Sequence, residues 1–119
     1  MVETIGKEGM QMTYSEFFSS VKTRFMRADV SDIKEHLAYQ FNITGEGSGI
    51  FYVEVKDGNL YIEPYEYFDR DAVFTASADV FASILDGKLD PIVAFTLQKM
   101  KVEGNFDKAL KLKDLIERK

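Results

Sequence analysis

The spacing of apolar and polar positions changes period several times along the chain, and each change marks an element. Over residues 13–28, Tyr14, Phe17, Phe18, Val21 and Phe25 recur at helical spacing and make one apolar face. Thr13, followed three residues on by Glu16, has the form of a capping box and fixes where that helix starts. The period then drops to two. Over residues 35–44, Leu37, Tyr39, Phe41 and Ile43 point one way and His36, Ala38, Gln40 and Asn42 the other, which predicts a strand with one dry face. Gly45, Gly47, Ser48 and Gly49 make a loop that opens no helix and lacks the Lys-Ser/Thr of a phosphate-binding loop. Residues 50–56 are a second strand, Asp57-Gly58 a hairpin turn, and residues 59–65 a third strand that Pro64 places at an edge or an end. Residues 66–71 read as a polar loop carrying Tyr67 and Phe68, and residues 72–76 as a fourth short strand.

The last third returns to helical spacing. Ser77 caps a helix whose buried stripe is Val80, Phe81, Ile84 and Leu85, and Gly87 ends it. Asp90-Pro91 opens another, with proline at the first helical position where its missing N–H costs nothing. Residues 92–97 are apolar on nearly every side, so this helix is either surrounded by protein or lines something apolar. Residues 99–103 alternate again, with Met100 and Val102 inward, and Gly104 turns the chain. Asn105 caps a closing helix whose main stripe is Ala109, Leu112 and Ile116, with Leu115 beside it. Phe106 and Leu110 form a second, separate patch on that helix, which suits a deep groove or a cavity beneath it. The order is helix, four strands, two helices, strand, helix. Residues and spacing alone therefore give a soluble α+β domain over residues 13–119, with residues 1–12, polar and aperiodic, expected as a flexible tail; the sequence does not choose among Met1, Met10 and Met12 as the start.

Composition narrows the function more by exclusion than by assignment. The 119 residues carry a net charge of −5, which disfavours nucleic acid as a partner. Lys108, Lys111, Lys113, Arg118 and Lys119 make a local basic patch on the closing helix. They read as a solvated face with cations near the negative helix end, or as a transient contact with an anionic lipid surface or a ligand headgroup. There is no cysteine, so disulfides and thiolate zinc sites are excluded. No run reaches the length of a membrane span, and no apolar leader precedes the first helix; the expectation is a cytoplasmic protein.

The sequence carries no recognisable catalytic constellation. His36 is the single histidine and falls on the polar face of its strand, where an exposed side chain is expected; no Gly-x-Ser-x-Gly elbow accompanies it. No carboxylate-rich metal loop is present. A carboxylate or tyrosine in an apolar cavity would suit proton transfer, as in small cone-shaped isomerases. In those folds, however, the helices largely precede a long curved sheet, whereas here helices interrupt and end the chain. No catalytic residue, metal or cofactor is assigned.

Gly87-Lys88, Asp90-Pro91, the run Lys99-Met100-Lys101-Val102-Glu103-Gly104-Asn105 and the run Ala109-Leu110-Lys111-Leu112-Lys113-Asp114-Leu115 together resemble the signature of the sterol carrier protein 2 (SCP-2) domain family. The order of elements over residues 13–119 fits as well, as for a stand-alone prokaryotic-type member without the targeting tail of the eukaryotic proteins. One departure is Gln98, where many members have glycine, at the junction of helix and strand near the expected cavity. The resemblance implies a five-stranded, mostly antiparallel sheet covered on one face by about five helices. It also implies an apolar tunnel between sheet and helices that binds a fatty acid, a fatty acyl-CoA or a sterol-like molecule without chemistry on the ligand. Phe81, Ile84, Leu85, Phe95, Gln98, Met100, Leu112, Leu115 and Ile116 are the residues expected to line it. The expected state is a monomer or weak homodimer. The alternatives are an interaction or dimerisation module serving a lipid-metabolising enzyme, and the small cavity isomerase.

Overall fold

A computed structural model describes residues 13–45 and 48–118. The N-terminal stretch read as a tail, part of the glycine loop (Glu46 and Gly47) and Lys119 lie outside the described residues. The elements follow in the order α1 (Tyr14–Phe25), β1 (Leu37–Thr44), β2 (Gly49–Lys56), β3 (Asn59–Glu63), β4 (Ala72–Ser77), α2 (Ala78–Leu85), α3 (Pro91–Thr96), β5 (Lys101–Gly104) and α4 (Phe106–Glu117). The strands form one sheet in the order β3-β2-β1-β4-β5, antiparallel except where β1 runs parallel to β4.

The local signals account for most boundaries. The Thr13–Glu16 capping box is formed in both directions, with Glu16 N–H on the Thr13 hydroxyl (3.1 Å) and Thr13 N–H on the Glu16 carboxylate (2.9 Å). Ser77, Asp90 and Asn105 cap α2, α3 and α4, each accepting a backbone N–H of the first turn. Lys56 pairs with Asn59, which leaves Asp57-Gly58 as a two-residue turn, and both have positive φ (53° and 76°), as a type I′ hairpin turn requires.

The dry face of the sheet carries Tyr39, Phe41 and Ile43 from β1, Phe51, Val53 and Val55 from β2, Ile62 from β3 and Phe74 from β4, all buried. Phe41 is the centre of this layer. Its ring stacks on Phe51 (4.9 Å between centroids) and Phe74 (5.3 Å), and meets Phe81 of α2 edge-on (5.4 Å). Helix α1 adds Phe17, Val21 and Phe25, and α4 adds Ala109, Leu112, Leu115 and Ile116.

Several expectations are corrected. Among the described residues there are four helices where about five were expected, and the first ends at Phe25 instead of Ala28, with turns after it. The last strand starts at Lys101, not Lys99. Gln98 adopts a positive φ of 62°, and the backbone N–H groups of Lys99 and Met100 both return to the Ala94 carbonyl (2.8 and 3.2 Å), so the chain is still turning there. The second face of β1 is not open to water: Ala38 and Gln40 are buried.

The sheet order explains that burial. Strand β3 is at one edge and β4 lies beyond β1, so the connecting residues 64–71 must cross the sheet on the face opposite the helices. There the Tyr67 ring stacks on Tyr52 (4.9 Å), its N–H donates to the Gln40 side chain (3.2 Å), and its hydroxyl donates to Glu54 (2.7 Å). His36 Nε2 lies 2.6 Å from the same Glu54 oxygen of β2; the histidine side chain stays 39% exposed, as expected, but it is not without a partner. Burial by itself pushes the Glu54 carboxyl up, but the hydrogen bonds from Tyr67 and His36 outweigh it and leave the group below its ordinary value. The bond to Glu54, then burial, pushes the Tyr67 hydroxyl up to about 12.

Candidate functional site

The two apolar patches of α4 have different fates. Ala109, Leu112, Leu115 and Ile116 are buried, whereas Phe106 and Leu110 stand half-exposed on the flank that faces α3. Only Ala94 of α3 is buried; Ile92 and Phe95 are half-exposed. Of the two environments expected for this apolar helix, it has the one in which it lines something apolar. Between α3 and α4 runs an open groove of about 90 Å³, walled by Pro91, Ile92, Phe95, Phe106, Ala109 and Leu110, and floored by Phe74, Val102, Met100 and Leu112. Phe95 and Phe106 face each other across it, 6.0 Å between ring centroids. An ordinary ligand pocket has about 300 Å³ or more, so this groove seats part of a ligand rather than all of it.

A second space lies deeper, under α1 and α2. Val21, Phe25, Phe41, Phe51, Phe81, Ile84, Leu85, Met100, Leu112 and Ile116 enclose about 10 Å³, hardly room for one water. The two spaces do not merge. Met100 and Leu112 belong to both linings and form the partition between them. Both are almost fully buried, at 3% and 2% exposure.

The residues expected to form one tunnel are thus divided. Phe95 lines the groove; Phe81, Ile84, Leu85 and Ile116 line the deep space; Met100 and Leu112 touch both. Leu115, buried at 1% exposure, lines neither, and Gln98 is exposed and lines neither. Sequence reasoning placed Phe106 and Leu110 over a groove but left them out of the site, together with Ile92, Val102 and Lys113. The available signal was the apolar run 92–97 facing the second patch of α4.

Lys113 is the one charged residue among the described groove-lining residues. Its ammonium donates to Asp90 (2.7 Å), the carboxylate that also caps α3 through Ile92 N–H (2.7 Å). The Lys113 bond, then the bond from Ile92, hold Asp90 below the usual carboxylate range, and the same contact pushes Lys113 up. The other described cations of the basic patch are paired as well: Lys108 with Asp71 (3.3 Å), Lys111 with Glu35, and Arg118 with Asp32 and Asp114 (3.0 Å). The patch is therefore largely neutralised within the protein. Among the described residues no cluster of His, Asp and Glu could hold a metal ion, and no helix is long and apolar enough to cross a membrane.

Comparison with known proteins agrees with this architecture. Residues 19–117 match the model of the SCP-2 sterol transfer family. The chain is 38% identical over 81 residues to hydroxysteroid dehydrogenase-like protein 2 of Bos taurus, a match covering 66% of this chain and 19% of that protein. The chain thus spans about a fifth of the length of that curated relative. Among solved structures, the inverting sec-alkylsulfatase Pisa1 from Pseudomonas sp. superimposes with a TM-score of 0.70 at 16% identity, over 90% of this chain and 16% of that one. The palmitated SCP2L2 of Aedes aegypti superimposes with a TM-score of 0.65 at 21% identity, over 88% of this chain and 95% of that one. At these identities the likeness is one of fold.

Proposed function

The chain belongs to the SCP-2 sterol transfer family, and from that premise we propose that it binds the hydrocarbon part of a single lipid, without chemistry on it, in the groove between α3 and α4. The observation that carries this reading is the lining: ten apolar residues and one lysine, open to solvent along one side. Burying an acyl chain there contributes about 0.8 kcal/mol per CH₂ covered. Phenylalanine and methionine side chains adapt to ligands of varied shape. Lys113, whose charge is balanced by Asp90, is the groove's single charged lining residue; an anionic head would have to share it with that carboxylate, so the headgroup is left open and the hydrocarbon is what the site recognises. The open side lets a ligand leave as it entered, which is what carriage between donors and acceptors requires. That the Aedes aegypti relative is described as palmitated points the same way.

The test uses delipidated protein, native mass spectrometry and displacement of a fluorescent fatty acid. Stoichiometric binding of one lipid at micromolar concentration is expected. No bound and no displaceable lipid would sink the proposal.

A second reading is favoured by a specific observation. Val93 and Leu97, as well as the groove residues Ile92, Phe95, Phe106 and Leu110, are 45–59% exposed. Such an apolar patch suits a protein partner, and the curated relative is a much longer dehydrogenase-like protein. In this reading the domain docks on a lipid-metabolising enzyme or on a second copy of itself. Light scattering across concentrations separates the two: a monomer that still takes up lipid favours the carrier, and a tight dimer that takes up none favours the docking module.

A further inference from the structure

The groove and the deep space are separated by two side chains, and the two differ in kind. Leu112 is fixed on α4, in the middle of its buried stripe. Met100 sits in the turn between α3 and β5, just before the strand pairs, and its side chain has three rotatable bonds. Its backbone is held by the Ala94 carbonyl, so the side chain can change rotamer without the strand moving. The deep space beyond is apolar on every side and too small to accept a methylene unless Met100 vacates its place.

We infer that Met100, backed by Leu112, is a movable stop at the inner end of the groove and sets the length of hydrocarbon chain the protein accepts. The inference rests on the lipid-binding reading and goes further, because it assigns length selection to one side chain. Short chains end against the thioether. Longer ones gain further burial only by turning it aside and entering the space lined by Phe25, Phe41, Phe81 and Ile116. Each additional methylene that finds cover raises affinity about fourfold, and one that stays in water adds nothing. Affinity plotted against chain length therefore rises and then levels off, and the break marks the stop.

The experiment measures dissociation constants for straight-chain saturated fatty acids of increasing length on delipidated protein. It compares wild type with Met100→Ala, Met100→Phe and Leu115→Ala. In Met100→Ala the break moves to chains longer by about two or three methylenes, the bulk removed, and affinity for those chains rises at least tenfold. In Met100→Phe it moves to shorter chains. Leu115→Ala melts earlier but keeps the wild-type break, because Leu115 lines neither space. If Met100→Ala does not fold, Met100→Leu carries the test: with fewer rotatable bonds it slows association of chains beyond the break and leaves shorter ones unchanged. An identical break in all variants, or unchanged long-chain association in Met100→Leu, overturns the stop while leaving lipid binding standing. Absence of binding at every length in wild type overturns the lipid reading itself.

Discussion

A Cβ atom built on Gly104 would stand 2.5 Å from the carbonyl oxygen of Asp71. The approach is not incidental. The same carbonyl accepts the N–H of Asn105 (2.8 Å), the residue that caps α4, while Asp71's own N–H donates to the Ala38 carbonyl (2.7 Å) and its carboxylate accepts the N–H of Ala38 (2.9 Å) and the ammonium of Lys108 (3.3 Å). Gly104 also has φ +105°, a region closed to other residues. Gly104→Ala is therefore expected to lose about 2–4 kcal/mol by combining backbone strain with a backbone clash. Urea denaturation followed by circular dichroism reads it, and a loss under 1 kcal/mol would mean that the junction yields easily.

Gln98 presents the opposite case. Its positive φ carries a cost of about 1–2 kcal/mol that glycine would not bear, partly offset by the extra freedom of glycine in the unfolded chain. Gln98→Gly should raise stability by up to about 1 kcal/mol and leave lipid affinity within twofold, since the side chain lines neither space. A large change in affinity would show that the side chain reaches the ligand after all.

These two positions show what the chain makes legible and what it does not. Caps, turn residues and period named the elements and their order, because each depends on neighbours a few residues away. The crossing of residues 64–71 beneath the sheet was not readable: it follows from β4 pairing with β1 rather than with β3, a choice made across 30 residues or more. So the strand pattern puts Gln40 on a polar face, with no sign that Tyr67 covers it. Site residues suffered similarly. Apolar spacing identifies what is buried, but Phe95 beside a groove and Leu115 in solid core look alike until the volume between them is known.

The strap predicts a pH signature. The Tyr67 hydroxyl titrates near 12 in the folded protein against 10 when unfolded. A raised pKa means stability fully present below pH 10 and lost as pH rises toward about 12. Glu54 works in the opposite sense: its lowered pKa gives stability present above the ordinary carboxylate range and lost as pH falls through the folded value. Tyr67→Phe should cost about 1–2 kcal/mol at neutral pH, the hydrogen bond to a buried carboxylate. It should also flatten the alkaline loss relative to wild type. Denaturation midpoints at pH 7, 9 and 11.5 test both, and parallel curves for the two proteins would refute the assignment.

Lys113→Met keeps the apolar stem but breaks the pair with Asp90, leaving that carboxylate uncompensated beside the groove, where it repels an anionic ligand. Affinity for a fatty acid should fall about three- to tenfold, that for the fatty alcohol of equal length should stay within twofold, and the contrast should shrink at high salt. Equal losses for acid and alcohol would place the headgroup elsewhere.

The floor of the groove is built partly from β5, a four-residue strand at the end of the sheet that pairs on one side only. Opening there breaks few backbone hydrogen bonds and leaves β1, β2 and β4 paired. Local opening free energies are lowest at such margins. Amides of Lys101 to Gly104 and of α3 should thus exchange with solvent deuterium well before those of β1 and β2, and slow down when lipid is bound. Exchange in that order would identify this edge as the wall that yields to a ligand larger than the groove, with the central strands left paired.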